Sequence, residues 1–296
     1  MLNIPTENEV IPRLIAWGEK QPSVRAMIMT STRTVPNAKL DILSDYDVIL
    51  VLTDIHPFHE SREWLEAFGR VLALYRDPIR TKNGFESAGY VVQFEDGLKI
   101  DFTLMPVAQM QHIAAAPNLP DEFDAGYRVL LDKDGLTTAL QPPTYKAYIP
   151  KPPTEAQYLE KVELFFHEAT YVAKYLWRDD LIAAKYVFEN FMKLSNLIPM
   201  LEWRMEVDHQ WTVKPGPYGR GLKRWLRPDL WTELEATYVG ADIAANWEAM
   251  WKTIDLFQKA AVEVADLMGF TYPHELHQRA VNYLRNVQKL TNEGDK

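Results

Sequence analysis

Cysteine is absent from the 296-residue chain, and so are long apolar runs and any surplus of basic residues. Without cysteine, the chain can form no disulfides and no thiolate metal sites, a composition that fits a reducing cytoplasm. No apolar run approaches the ~20 residues that a membrane-spanning helix needs, and the N-terminus lacks the pattern of a secretory signal. We therefore expect a cytoplasmic protein with no membrane partner.

Acidic residues outnumber basic ones, and the formal net charge is −9. Proteins that bind nucleic acid usually present a basic face, because phosphate contacts dominate their affinity. The charge balance therefore argues against a nucleic-acid partner. An acidic cleft would instead concentrate a small cationic substrate. Monomer and homodimer both remain open from the sequence.

A proline-rich segment separates two parts of the chain that differ in periodicity. Residues 142–153 contain five prolines, a density that blocks helices and central strands. We predict an α+β protein, with a mixed β-sheet and helices in residues 1–141, a linker at 142–153 and an α-helical bundle in 154–296. The strands predicted before the linker are 24–29, 47–52, 89–94, 98–105 and 127–131. The helices predicted there, besides one that follows the Thr6–Glu9 capping box, are 60–75 and 106–114. The helices predicted after it are 154–177, 181–207, 217–225, 228–237, 242–268 and 274–287.

Three aspartates stand where strands begin or run through the predicted sheet. Asp45 and Asp47 lie at the start of the apolar run 48–52, and their i, i+2 spacing directs both carboxylates to one face. Asp101 lies inside a later, otherwise apolar strand, after the Asp96–Gly97 turn, which suits a hairpin. If the two strands are neighbours, three carboxylates converge. Such a group suits Mg²⁺ and a two-metal site for phosphoryl or nucleotidyl transfer.

A turn of small hydroxyl residues precedes the first acidic pair. Thr30, Ser31 and Thr32 follow the first predicted strand, and their backbone N–H groups and hydroxyls could hold a phosphate. Arg33 comes next. Its side chain pairs either with a phosphate or with acidic groups of the protein itself.

These residues resemble the nucleotidyltransferase superfamily, which carries a Gly-Ser turn, then Asp-x-Asp, then a third Asp on a later strand. More closely, the chain resembles the aminoglycoside 6-adenylyltransferases that modify streptomycin. The likeness covers nearly the whole sequence. The segments that carry it most specifically are Asp-Ile-His-Pro-Phe at 54–58 and Lys-Ile-Asp-Phe-Thr at 99–103. One position departs from the family pattern, because Ser31 stands where the family has glycine.

The resemblance implies transfer of AMP from ATP to a hydroxyl of an aminoglycoside. It assigns Asp45, Asp47 and Asp101 to Mg²⁺ and catalysis, and it assigns Ser31, Thr32 and Arg33 to the nucleotide. In the helical part, it further implies that Lys185 contacts the nucleotide phosphates and that Asp180 serves as a base. A different acceptor, such as a lincosamide or a protein side chain, would keep the same catalytic residues. A homologue that binds nucleotide without catalysis is the other alternative.

Overall fold

The computed structural model describes residues 3–290, and the chain divides into two compact units between Tyr148 and Ile149. This division falls inside the proline-rich segment 142–153. Each unit has its own apolar core. Of the predicted second domain, residues 291–296 lie outside the described residues.

The first unit is built on a seven-stranded sheet of the order β3-β5-β6-β2-β1-β7, with β4 paired to β5. Its strands are β1 (Val24–Thr30), β2 (Tyr46–Leu52), β3 (Val71–Arg76), β4 (Arg80–Lys82), β5 (Phe85–Phe94), β6 (Lys99–Pro106) and β7 (Tyr127–Asp132). Strands β2 and β6 are parallel, and the other neighbours are antiparallel. Its helices are α1 (Glu7–Lys20), α2 (His56–Glu60), α3 (Val107–Ala115) and α4 (Asp121–Asp124). The predicted mixed sheet with helices is confirmed.

Local sequence signals explain two features of this unit. Thr6 and Glu9 form the predicted capping box, in which the Thr6 backbone N–H donates to Glu9 Oε2 at 2.7 Å. Gly97 has a φ of 96° in the turn between β5 and β6, a conformation that suits glycine. The neighbouring Asp96 accepts a hydrogen bond from the Leu98 N–H at 3.0 Å. This turn therefore determines the residue at which β6 begins, and with it the position of Asp101 along the strand.

Alternation along the central strands divides the core between the two faces of the sheet. Val48 and Leu50 of β2 belong to one cluster, together with Phe102 of β6. Ile49 and Val51 belong to the cluster on the opposite face. Because side chains alternate along a strand, Asp47 shares the second face with Ile49 and Val51. The acidic group therefore lies at the end of a buried apolar face.

The helix predicted at 60–75 is wrong. Helix α2 ends at Glu60, and a 3-10 helix covers Glu63–Phe68. Residues Val71–Arg76 form β3, which pairs with β5. Gly69 ends the helical part with a φ of 129°. The apolar spacing fits a helix only as far as Phe68, since Leu72 and Tyr75 are exposed on the edge strand.

The second unit is helical around one core, as predicted. Its helices are α5 (Glu155–Trp177), α6 (Leu181–Tyr186), α7 (Ile198–Asp208), α8 (Leu222–Trp225), α9 (Pro228–Glu235), α10 (Ile243–Met268) and α11 (His274–Lys289). A π-helical segment, Val187–Leu197, joins α6 to α7. Within residues 3–290, no helix is long and apolar enough to cross a membrane.

The continuous helix predicted at 217–225 is also wrong. A 3-10 turn at Pro217–Gly219 and the four-residue α8 stand there instead. Gly221 separates them with a φ of 82°, and a helix cannot continue through such a left-handed residue.

Candidate active site

The strand order brings Asp47 and Asp101 side by side. Asp47 is the register partner of Asp101 across the parallel pair β2 and β6. On its other side, Asp47 is the register partner of Thr30 at the end of β1. Neighbouring strands lie about 4.8 Å apart, so the two carboxylates occupy one small region where β1 ends and β2 begins. Both side chains are partly buried.

Asp45 joins this group through Lys99. Lys99 Nζ donates to Asp45 Oδ2 at 2.6 Å and to Asp101 Oδ2 at 3.0 Å. Sequence reasoning did not select Lys99. The available signal was its i−2 position relative to Asp101, which puts both side chains on one face of β6. Its bond to Asp45 depends on the parallel pairing of β2 and β6, which no local pattern reveals.

Burial and mutual repulsion raise the pKa values of the central carboxyls. The pKa of Asp47 rises to about 6, first because burial disfavours its charged form and then because Asp101 is negatively charged. A hydrogen bond from the Ser31 side chain opposes that rise. Burial also raises the pKa of Asp101, against the lowering effect of Lys99. These two carboxyls therefore bind protons more strongly than ordinary surface acids do.

The carboxylates fit a hard divalent cation in their chemistry, and one atom supports that use directly. Asp101 Oδ1 is buried and has no hydrogen-bond partner among the described residues, and such an oxygen costs free energy unless it is paired. Within residues 3–290, no three acidic or histidine side chains lie in an arrangement that could hold a metal ion without rearrangement. In this arrangement, Lys99 bridges two of the three acids instead. The assignment of metal to Asp45, Asp47 and Asp101 stays a prediction.

The hydroxyl turn begins with a left-handed residue. Ser31 has a φ of 64° and opens a 3-10 helix, Ser31–Thr34. Thr34 Oγ1 donates to the Ser31 carbonyl at 2.7 Å and closes the turn. Thr32 is exposed, while Thr30 is buried. The conformation of Ser31 is one that glycine adopts readily, which agrees with glycine at this position in the resembling family.

Arg33 is engaged by the protein itself. Its Nη2 donates to the Ser44 carbonyl at 2.6 Å, and its Nε donates to the Asp45 carbonyl at 2.9 Å. Its Nη1 pairs with Glu7 at 3.2 Å, and the guanidinium lies 3.7 Å from the centre of the Tyr46 ring. The side chain is only 9% exposed. The protein thus uses three of the five guanidinium N–H groups. This favours the ion-pair alternative, in which Arg33 holds the loop that carries Asp45, and the assignment of Arg33 to the nucleotide stays a prediction.

Lys185 and Asp180 belong to the second unit. Lys185 Nζ donates to Glu189 Oε1 at 3.0 Å and to the Val239 carbonyl at 2.9 Å. Asp180 is exposed and stands immediately before α6. The roles of both residues towards the nucleotide and the acceptor stay predictions.

A buried lysine on the π-helical segment was missed at the sequence level. Lys193 is 1% exposed, donates to the Thr237 carbonyl at 2.7 Å and pairs with Glu189 at 3.1 Å. Burial lowers its pKa to about 8. Glu189 therefore lies between Lys185 and Lys193, and the i, i+4, i+8 spacing of these three residues was the available signal.

Known proteins resemble this chain over most of its length. The model of the streptomycin adenylyltransferase family matches residues 4–287. Aminoglycoside 6-adenylyltransferase of Bacillus subtilis (strain 168) is 27% identical over 274 residues, which cover 90% of this chain and 93% of that protein. The aminoglycoside 6-adenylyltransferase of Staphylococcus aureus is 24% identical over 287 residues, covering 95% and 98%. The crystal structure of an aminoglycoside 6-adenyltransferase from Bacillus subtilis aligns with 97% of this chain and all of that one, at 23% identity and a TM-score of 0.48. Since the family model spans nearly the whole sequence, this chain belongs to the streptomycin adenylyltransferase family and is a nucleotidyltransferase.

Proposed function

We propose that this enzyme transfers AMP from ATP to a hydroxyl group of an aminoglycoside, with streptomycin as the first candidate. The observation that carries the proposal is the pairing of Asp47 with Asp101 at the centre of the sheet, in a chain of this family. The two relatives compared above are named as aminoglycoside 6-adenylyltransferases. The net charge of −9 also suits a polycationic acceptor.

Asp45, Asp47 and Asp101 would hold Mg²⁺. Carboxylate oxygens are the ligands that this cation prefers, and the unpartnered Asp101 Oδ1 supplies one of them. When bound, Mg²⁺ supplies charge neutralisation for the triphosphate. The remaining chemistry belongs to residues of the chain.

Two further groups would contact the nucleotide. The Ser31 and Thr32 hydroxyls and the backbone N–H groups of their turn offer donors to the β- and γ-phosphates. Lys185 offers a positive charge from the second unit, where it is anchored to Glu189 and to the Val239 carbonyl. Arg33 acts indirectly, because its bonds to the Ser44 and Asp45 carbonyls fix the loop that carries Asp45.

The acceptor hydroxyl must lose a proton as its oxygen attacks the α-phosphorus. Asp101, whose pKa is raised by burial, or Asp180, which is exposed before α6, would accept that proton. The new bond joins the acceptor oxygen to the α-phosphorus, and pyrophosphate leaves on the opposite side. The second unit would then provide the surface that selects the acceptor.

The test is a product analysis over two substrate panels. Purified protein is incubated with Mg²⁺, each of the four nucleoside triphosphates in turn, and a set of aminoglycosides that includes streptomycin. Mass spectrometry of the products should show one AMP added to streptomycin, formed from ATP. The Asp47→Asn variant provides the matched blank. Transfer only to a lincosamide or to a protein side chain would identify a different acceptor, and no transfer from any nucleotide would refute the proposed reaction.

A further inference from the structure

Lys99 provides a positive charge inside the acidic group of the first unit. Its Nζ contacts Asp45 at 2.6 Å and Asp101 at 3.0 Å, and its side chain is 28% exposed. Among residues 3–290, it is the one cation with a side-chain bond to any of the three carboxylates. The group is therefore partly neutralised by the protein itself.

The strand register fixes Lys99 in this position. Tyr46 is the register partner of Ile100, and Asp47 is that of Asp101. Continued back by one residue, the same register sets Asp45 level with Lys99. Lys99 also lies two residues before Asp101, on the same face of β6. An ammonium at residue 99 is consequently held within reach of both acids by the pairing of β2 and β6.

A divalent cation bound to the same carboxylates would lie close to the Lys99 ammonium. Asp45 Oδ2 and Asp101 Oδ2 are the oxygens that Lys99 uses, whereas Asp101 Oδ1 is buried without a partner among the described residues. A metal that binds Asp101 Oδ1 and a carboxylate oxygen of Asp45 would lie close to the ammonium. Like charges at such a separation repel strongly in a partly buried site.

We propose that Lys99 is an internal counter-ion that holds Asp45 and Asp101 together when no metal is bound, and that metal binding displaces it. This inference rests on the proposed role of the three carboxylates as metal ligands. Lys99 thereby keeps the carboxylates of Asp45 and Asp101 in place when no metal is bound, and it lowers the affinity of the free protein for a divalent cation. Lys99 acts through Asp45 and Asp101, and so it is a positioning residue.

The first test compares Mn²⁺ binding without nucleotide, measured by calorimetry or by the electron paramagnetic resonance signal of free Mn²⁺. Lys99→Met keeps the length of the side chain but removes its charge, and it should bind Mn²⁺ about tenfold more tightly than wild type. Lys223→Met is the matched control. Lys223 pairs with Glu235 at 3.4 Å in the second unit, so this variant loses the same charge away from the acidic group and should bind as wild type does. Unchanged or weaker Mn²⁺ binding in folded Lys99→Met would overturn the proposal.

A second test uses the wild-type protein and so does not depend on the folding of a variant. A lysine-selective acylating reagent is applied with and without saturating Mn²⁺, and modification is quantified at Lys99 and Lys223 by peptide mass spectrometry. Displacement by the metal should raise the modification rate of Lys99 severalfold and leave that of Lys223 unchanged. An unchanged rate at Lys99 with Mn²⁺ bound would contradict displacement.

The first test measures Mn²⁺ affinity and the second measures the effect of Mn²⁺ on Lys99, so neither depends on the assay for the acceptor. Tighter Mn²⁺ binding by Lys99→Met supports the role of Lys99 even if no aminoglycoside is modified, in which case only the proposed acceptor fails. Absence of Mn²⁺ binding from both wild type and Lys99→Met overturns the counter-ion proposal, whichever acceptor the product analysis identifies.

Discussion

Asp47 and Asp101 are register partners in the two parallel strands at the centre of the sheet, and burial raises the pKa of both carboxyls. Two carboxylates in adjacent strands repel each other, and this arrangement lowers stability unless a cation or a proton compensates. Lys99 compensates at Asp101, to which it bonds at 3.0 Å. Carboxyls with raised pKa values in a partly buried group are typical of functional sites.

Replacing either acid should abolish transfer without loss of the fold. Asp47→Asn and Asp101→Asn remove a negative charge from the proposed metal site but preserve the size of the side chain. We expect turnover to fall by at least ~10³-fold, because the charge that holds the metal is central to nucleotidyl transfer. Turnover is measured by pyrophosphate release, and folding is measured by circular dichroism. Turnover of either variant at the wild-type rate would contradict the assignment.

The pKa of Asp47 predicts how stability changes with pH. A carboxyl whose pKa rises from 3.8 to about 6 on folding retains its proton better in the folded state. Relative to the charged form, protonated Asp47 therefore stabilises the folded protein. This stabilisation is complete at pH values below the unfolded pKa of 3.8 and is lost as the pH rises through about 6. The pKa change corresponds to about 3 kcal/mol at most.

Wild type should therefore lose stability relative to Asp47→Asn between pH 4 and pH 7. The difference in free energy of unfolding between the two proteins is measured by urea titration in the presence of a chelator, so that no metal contributes. Glu248→Gln, which changes an exposed carboxylate on α10, is the matched control and should show a much smaller change over this pH range. An equally small change for Asp47→Asn would refute the raised pKa.

Patterns within a few residues predicted much of this fold. The capping box at Thr6 and the Asp96–Gly97 turn are local, and the structure contains both. The helix predicted at 60–75 is wrong because the apolar spacing fits a helix, whereas the helical part ends at Gly69 and the pairing with β5 makes Val71–Arg76 a strand. Tertiary pairing overrode the local pattern there.

The acidic group itself was partly predictable. The alternation along each strand indicated which way Asp47 and Asp101 point. The contacts of Lys99 and Arg33 depend instead on groups that are distant in sequence or on backbone carbonyls. Lys99 reaches Asp45 across 54 positions, and Arg33 uses the Ser44 carbonyl. A sequence pattern does not display such partners, so their roles appear only in the fold.

Lys185→Ala should weaken nucleotide binding much more than aminoglycoside binding. The change removes a charge proposed to face the triphosphate, and a charged hydrogen bond contributes about 1.5–3 kcal/mol, or about 10- to 150-fold in KM for ATP. Steady-state kinetics with each substrate varied in turn measure both effects. Lys223→Ala, at an exposed lysine of the same unit, is the control. An unchanged KM for ATP would restrict Lys185 to its contacts with Glu189 and Val239.

Arg33→Lys distinguishes loop positioning from phosphate binding. Lysine keeps the positive charge but cannot reproduce the guanidinium bonds to two carbonyls. We expect a loss of about 2–4 kcal/mol in the free energy of unfolding, together with lower kcat, because the bonds of a buried guanidinium to the Ser44 and Asp45 carbonyls are lost. Arg128→Ala is the control, since Arg128 pairs with the same Glu7 but is 46% exposed; it should cost less than about 1 kcal/mol. If Arg33→Lys keeps both stability and kcat, Arg33 does not hold the loop.

Ser31 combines an unfavourable backbone conformation with a useful hydroxyl, and two substitutions separate the effects. Its φ of 64° strains a serine backbone by about 1 kcal/mol, while its hydroxyl lowers the pKa of the Asp47 carboxyl. Ser31→Gly relieves the strain and removes the hydroxyl, whereas Ser31→Ala only removes the hydroxyl. Ser31→Gly should therefore unfold with a higher free energy than Ser31→Ala, by at most about 1 kcal/mol because glycine gains entropy in the unfolded chain.

Both Ser31 variants should bind ATP with Mg²⁺ more weakly than wild type near pH 6.5, because Asp47 retains its proton to a higher pH once the hydroxyl is lost. The part of the deficit that comes from Asp47 should shrink as the pH rises to 8, where that carboxylate is charged in all three proteins, whereas the part that comes from a lost phosphate contact should remain. Nucleotide affinity is measured by calorimetry at both pH values, with unfolding monitored in the same buffers. If Ser31→Gly instead binds ATP more tightly than wild type at both pH values, close approach of the backbone to the phosphates outweighs the hydroxyl, and the serine would slow an otherwise complete site.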